Sequence, residues 1–229
     1  MTQKVALVSG ASRGIGSAVA ERLAANGWRL SLGMRDPDDA AGQFGDAQIQ
    51  RHDAIQQDES AWVDAAQKRF GRIDAIVCCA GVMAPETVVS VDDETLDAMF
   101  EVNVKSPRRL VRVAWPNLQK AGEGRVVILA SLSGKRVKSA ASGAYAMTKH
   151  AAVALAHGVR QVGWDDGIRA TAVCPGFVNT DMARAITDFP SEDMTRPDDV
   201  ARIVQLALDL PNSASMAEIA VNCSREGSF

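Results

Sequence analysis

Aromatic residues make up only 5% of this 229-residue chain, and Tyr145 is its one tyrosine. That tyrosine stands in "GAYAMTKHAA" (143–152), a run of small residues that gives the ring little apolar company, so its placement needs a reason other than packing. Cysteine is scarce too: Cys78, Cys79, Cys174 and Cys223 include an adjacent pair but no C-x-x-C, which excludes a zinc-ribbon or disulfide framework and suits a reducing cytoplasm. There is no excess of positive charge. Lys plus Arg number 25 against 28 Asp plus Glu, a net charge of −3 that offers no field to gather nucleic acid. No apolar run approaches the ~18 residues of a membrane-spanning helix, and "KVALVSG" is too short for a signal-peptide core with a cleavage site. The three histidines, His52, His150 and His157, have no partner at ligand or triad spacing, so no metal and no histidine chemistry is expected. A soluble cytoplasmic protein fits these absences.

What is present is alternation. Short apolar runs at 4–10, 29–35, 75–81, 125–131, 169–176 and 217–222 read as strands, most of them apolar on both faces, with a further strand before "RHDA" (51–54). Between them, 17–27, 59–71, 93–122, 143–163 and 197–210 carry helical periodicity, several closed by glycine. Strand–helix alternation without a linker or repeat predicts one α/β domain over 1–229, a doubly wound parallel sheet of the Rossmann type with helices on both faces. The first strand runs through "SGASRGIG" straight into a helix. Gly10, Gly14 and Gly16 there permit a tight turn and close approach of a pyrophosphate to a helix N-terminus, the form of a dinucleotide site.

These motifs resemble the short-chain dehydrogenase/reductase family, in its NADP-preferring carbonyl reductase or hydroxy-acid dehydrogenase-like branch. "SGASRGIG" is similar to the family's glycine motif and "YAMTK" to its Tyr-x-x-x-Lys. Ser131 in "ILASLSG" is similar to its catalytic serine, Asn103 in "FEVNVKS" to its helical asparagine, and "PGFVNT" (175–180) to its nicotinamide loop. All five stand in the family's order, across residues 4 to about 222. The resemblance implies an oxidoreductase that moves a hydride between nicotinamide and a carbonyl or alcohol carbon.

The residues support that chemistry on their own terms. Lys149 lies four after Tyr145, on the same helical face, so its ammonium is expected to favour phenolate and lower a pKa that starts near ~10. Tyr145 is then the general acid/base, and Ser131, closing an apolar strand, a donor to the substrate oxygen. The resemblance further implies that Lys149 bonds the nicotinamide ribose and that Asn103 holds a relay water. Ser133 rivals Ser131 but registers past the strand end, where it would steady the loop.

The cofactor contacts implied are Gly10, Ser12, Arg13, Gly14, Ile15 and Gly16 in the glycine turn; Arg35; Asp53 and Ala54 at the adenine; Cys79, Ala80 and Gly81 at the ribose; Tyr145 and Lys149; and Pro175, Gly176, Val178 and Thr180. Asp36 stands where an acid would select NAD by simple spacing. Registration on the family instead puts Met34 there, with Arg35 and Arg13 flanking the place of a 2′-phosphate, so NADP(H) is preferred and NAD(H) stays open. Two departures stand out: Cys78-Cys79-Ala80-Gly81 where Asn-Asn-Ala-Gly is common, and a C-terminal "AEIAVNCSREGSF" without Gly-Gly.

A substrate lid is expected at 180–196, its larger apolar members Met182, Phe189 and Met194, which suits a small or medium substrate. Lys135, Arg136 and Lys138 would attract a carboxylate or phosphate, or form a solvated loop. Alternatives are a 3-oxoacyl-thioester reductase, a non-catalytic NADP(H)-binding redox sensor, and an unliganded interaction protein, the last opposed by the glycine turn. Self-association as a homodimer or homotetramer through the long helices at 93–119 and 143–163 is expected.

Overall fold

A computed structural model describes residues 3–40 and 42–225. The last four residues of the C-terminal stretch quoted above lie outside them. Among the described residues, seven parallel strands form one sheet: β1 (Val5–Ser9), β2 (Arg29–Met34), β3 (Gln48–Arg51), β4 (Ala75–Cys78), β5 (Arg125–Leu129), β6 (Arg169–Pro175) and β7 (Glu218–Val221). Their order is β3-β2-β1-β4-β5-β6-β7. The chain therefore leaves β1 toward one edge and returns to start β4 on its other side. Ligands of such sheets bind outside the carboxyl ends of the two strands where the order reverses, here β1 and β4.

Alternation of side chains gives the sheet two cores. Val5 and Leu7, Ile76 and Cys78, Val126 and Ile128 point to the face covered by α2 (Glu59–Phe70), α4 (Ser106–Ala121) and α5 (Gly143–Gly163). Ala6 and Val8, Ala75 and Val77, Val127 and Leu129 point to α1 (Gly14–Ala25) and α7 (Pro197–Asp209). Strands buried on both faces cannot alternate polar with apolar, which is why they read as continuous apolar runs. Trp62 fills the first core, its indole N–H donating to Ser31 Oγ at 2.8 Å, and that hydroxyl in turn donating to Gln48 Oε1 at 2.9 Å. Gly33 opposite is required: a Cβ there would stand 2.6 Å from the indole ring.

The helix expected over 93–122 is interrupted. It consists of α3 (Asp93–Phe100), a π-turn (Glu101–Lys105) and α4. Pro107 explains the defect. It has no N–H to give the Asn103 carbonyl four residues back, so the helix opens into a wider turn around Asn103. The expected lid contains a short α6 (Asp181–Arg184) and a 3₁₀ turn (Ser191–Asp193).

Candidate active site

The chain leaves β1 at Gly10, where φ is +66° and the N–H donates to Gly33 O at 2.9 Å. A Cβ at Gly10 would lie 2.7 Å from both N and Cα of Ala80, so the turn rests directly on the segment after β4. Gly16 is as constrained, its Cβ position 2.1 Å from Gly10 O. Gly14, at φ +58°, faces Thr180, just before α6. Arg13 at the N-cap makes no side-chain cap bond and the first turn of α1 has no acid, which leaves that helix end suited to an anion. Ser12 is half-buried in the same turn, and Ile15 packs on the α1–α7 core. This bare backbone cradle at the switch point fits a dinucleotide pyrophosphate.

Four side chains converge beside it. Tyr145, in the first turn of α5, is 9% exposed, is grouped with Met99 and Ala144, and lies near enough to the Ser131 hydroxyl for that group to favour its ionised form. Ser131 follows β5, accepts the Ser133 N–H at 3.0 Å and lies 3.4 Å from Pro175 O, so Ser133 does steady the loop. Lys149 Nζ donates to Leu129 O at 2.8 Å and sits 5.5 Å from the centre of the Tyr145 ring. Asn103 is locked by three bonds: Oδ1 accepts Val82 N–H at 2.9 Å, and Nδ2 donates to Val82 O at 2.9 Å and to Thr148 Oγ1 at 3.0 Å. Thr148 Oγ1 donates in turn to Tyr145 O at 2.8 Å. Gly81 closes the group, its Cβ position 3.4 Å from Asn103 Oδ1 and 3.6 Å from Lys149 Nζ.

Electrostatics differ from the sequence expectation. Burial pushes the Tyr145 phenol above its ordinary value, and Ser131 pulls it back only in part. Lys149 is not what sets it, because the ammonium is directed to the Leu129 carbonyl. Burial lowers Lys149 itself to about 8, with the Cys174 and Cys79 thiols opposing that fall. Cys78 is raised to about 12, and Cys79 is raised also, both chiefly by burial, so these thiols stay protonated. Beside them Ser9 Oγ accepts the Ala80 N–H at 3.3 Å, tying the end of β1 to the segment after β4.

The remaining expected residues surround this centre. Ala54 is buried and Asp53 Oδ1 accepts the Ile55 N–H at 3.0 Å, both in the loop after β3. Arg35 is exposed just past β2, and Arg13 pairs loosely with Asp181 at 3.5 Å. Asp36 caps the turn that follows, accepting the Asp38 N–H at 3.1 Å. Pro175 ends β6; Gly176 donates to Val221 O at 2.8 Å, and a Cβ there would require the Asn222 side chain, 2.5 Å away at Oδ1, to shift. Val178 bridges to Thr195, and Thr180 caps α6. In the segment 180–196 Met194 is buried, Phe189 stacks on Phe177 at 6.0 Å, and Met182 is exposed.

The fold gives the basic loop and the histidines partners that local spacing does not reveal. Lys135 is not a free cation but pairs with Glu218, which also holds His157 Nε2 at 2.6 Å; Arg136 and Lys138 have partners as well. His52 does have partners, Asp58 at 2.6 Å and Ser106 at 3.4 Å. Both are brought by the fold from outside any triad spacing. The roles of Thr148, Ser9 and the Leu129 carbonyl were missed, since no local pattern marks them.

A parallel sheet with a glycine cradle at its switch point and a serine, tyrosine and lysine gathered beside it is an arrangement suited to a dinucleotide and a proton-transferring group. The family model for short chain dehydrogenases matches residues 4–191, and the chain belongs to that family. It is 40% identical over 228 residues to an agropine synthesis reductase of Rhizobium rhizogenes, covering 97% of this chain and 53% of that protein. The chain thus spans about half the length of that relative. Among solved structures, the fold is similar to an alcohol dehydrogenase of the archaeon Thermococcus sibiricus complexed with 5-hydroxy-NADP, with TM-score 0.84, 28% identity and 95% of each chain covered. It is also similar to a 3-ketoacyl-(acyl-carrier-protein) reductase of Brucella melitensis complexed with NADH, with TM-score 0.88, 25% identity and 97% of each chain covered. Among the described residues no helix is long and apolar enough to cross a membrane. No group of three or more candidate ligands is placed there to hold a metal.

Proposed function

We propose that this chain is an NADP(H)-dependent carbonyl reductase or alcohol dehydrogenase of a small or medium substrate, with Tyr145 as general acid/base. The observation that carries the reading is the meeting of Ser131, Tyr145 and Lys149 at one sheet edge, next to the glycine cradle. Bound nicotinamide supplies or accepts the hydride. Gly10, Ser12, Gly14, Ile15 and Gly16 hold the pyrophosphate, Asp53 and Ala54 the adenine, and Cys79, Ala80 and Gly81 the ribose. Pro175, Gly176, Val178 and Thr180 flank the nicotinamide, and 180–196 forms the lid. Arg13 and Arg35, both exposed and near the end of β2 or the start of α1, select the 2′-phosphate.

Ser131 donates a hydrogen bond to the substrate oxygen, while Tyr145 gives it a proton in reduction or removes one in oxidation. Lys149, at about 8, can take up or release that proton near neutral pH. Asn103 holds a water on the path from Lys149 to solvent. In support, Pro107 leaves its carbonyl without the donor an unbroken helix would supply.

Likeness to the Brucella reductase favours 3-oxoacyl thioesters as a second substrate class. An apolar groove lined by Val88, Val89, Val137 and Met147, with Val89 91% exposed, supports self-association as a dimer or tetramer.

The test is oxidation of NADPH and NADH against ketones, keto acids, diketones and a 3-oxoacyl thioester. Turnover preferring NADPH, lost in Tyr145→Phe and shifted toward NADH in Arg13→Ala with Arg35→Ala, is the expected result. NADPH binding without turnover in either wild type or Tyr145→Phe would replace the enzyme by a sensor.

A further inference from the structure

Arg109, one turn into α4, makes more bonds than any residue of the proposed catalytic group, yet touches none of them. Its Nε donates to Glu59 Oε2 at 2.8 Å, and its Nη2 donates to Glu59 Oε1 at 2.9 Å and to the Ala54 carbonyl at 2.6 Å. Nη1 donates to Glu101, the first residue of the π-turn, whose other oxygen pairs with Lys105 at its last residue, 3.3 Å away. The Glu59 side chain is 2% exposed. Taking such charges out of water is costly, and well-packed apolar residues commonly serve stability as well, so the arrangement is better explained by the geometry it imposes.

That geometry concerns two segments far apart in sequence. One is the loop after β3. Asp58 shapes it from within, Oδ1 on His52 Nδ1 at 2.6 Å and Oδ2 accepting the Asp53 N–H at 3.3 Å, while Gln57 is held at φ +57°. A non-glycine residue in the left-handed region persists only where its surroundings fix it. Arg109 supplies the support from below through Ala54. The other segment is the π-turn, bracketed by Glu101 and Lys105, with Asn103 at its centre. Only a planar guanidinium presents donors in three directions to join a carbonyl and two carboxylates.

We propose that Arg109 is a positioning residue shared by both ends of the cofactor site, fixing the Asp53–Ala54 loop through the Ala54 carbonyl and the Asn103 turn through Glu101. Occupation of the adenine loop then stiffens the turn that carries Asn103. The inference rests on the nicotinamide reading above. Its probe is 5′-AMP, which reaches the adenine loop and carries no nicotinamide.

Binding of 5′-AMP is measured by calorimetry, with hydrogen exchange followed over 52–58 and 101–106, for wild type, Arg109→Lys and Glu101→Gln. In wild type, AMP slows exchange in both segments. Arg109→Lys raises the AMP Kd about tenfold or more and speeds exchange in both. Glu101→Gln keeps the AMP Kd within about twofold, but AMP no longer protects 101–106. A merely structural Arg109 would lower the melting temperature and leave the AMP Kd unchanged, and that outcome overturns the proposal. So does AMP protection confined to 52–58 in wild type. Failure of wild type to bind either AMP or NADPH would instead remove the nicotinamide reading, and this inference with it.

Discussion

Lys149 carries an ammonium into the protein interior and sets it against a neutral carbonyl, so replacing it should make the fold more stable. The gap between about 8 in the folded protein and the ordinary 10.5 corresponds, at about 1.4 kcal/mol per tenfold, to about 3 kcal/mol of charge burial at pH 7. Lys149→Met removes that cost at similar length but also the hydrogen bond to Leu129 O, worth about 1 kcal/mol. The variant should be about 2 kcal/mol more stable at pH 7 and inactive, a trade of stability for function. The sign with pH follows from proton counting. Between pH 8 and 10.5 the folded wild type binds fewer protons at this site than the unfolded chain, so its stability rises with pH relative to the variant. By pH 9.5 the burial cost has fallen to about 1.5 kcal/mol, and the gap between the two proteins should narrow by about 1.5 kcal/mol. Urea unfolding of both at pH 7 and 9.5 measures this. A gap that does not change with pH, or a variant clearly less stable than wild type at pH 7, would refute a buried, charge-strained Lys149.

Gly10→Ala forces a Cβ to within 2.7 Å of the Ala80 backbone at φ +66° and should cost about 3 kcal/mol or more, with loss of NADPH affinity. Gly27→Ala, at φ +83° with nothing within 4 Å, should cost only the conformational 1–2 kcal/mol, roughly, and leave binding intact; thermal melts and NADPH titration compare the two. Glu218 is held below its ordinary 4.5, first by Lys135 and then by His157, so its contribution is present above that value and lost as pH falls through the lower one. Glu218→Gln should therefore be less stable than wild type at pH 7 and converge with it in acid, as read from urea midpoints. Ser9→Ala leaves the Ala80 N–H without its acceptor and should weaken NADPH binding several-fold with little change in melting temperature.

The sequence by itself determined the layers, the strand order's starting point and the candidate site residues, because each of these is written in short-range pattern. Two-faced apolar runs mark buried parallel strands, and Gly10, Gly14 and Gly16 mark a turn that only glycine can make. Tyr145 and Lys149 share a face through helical spacing alone. The tertiary structure decided what surrounds those residues. Lys149 was expected to act on the Tyr145 phenol, but its partner is Leu129, twenty residues away, and burial rather than pairing governs both groups. Pro107 was visible as a letter, yet its effect on Asn103 depends on a helix continuing on both sides of it. His52 with Asp58 and Ser106, Lys135 with Glu218, and Arg109 with Ala54, Glu59 and Glu101 join segments up to 83 residues apart, and desolvation and long-range pairing leave no local periodicity to read.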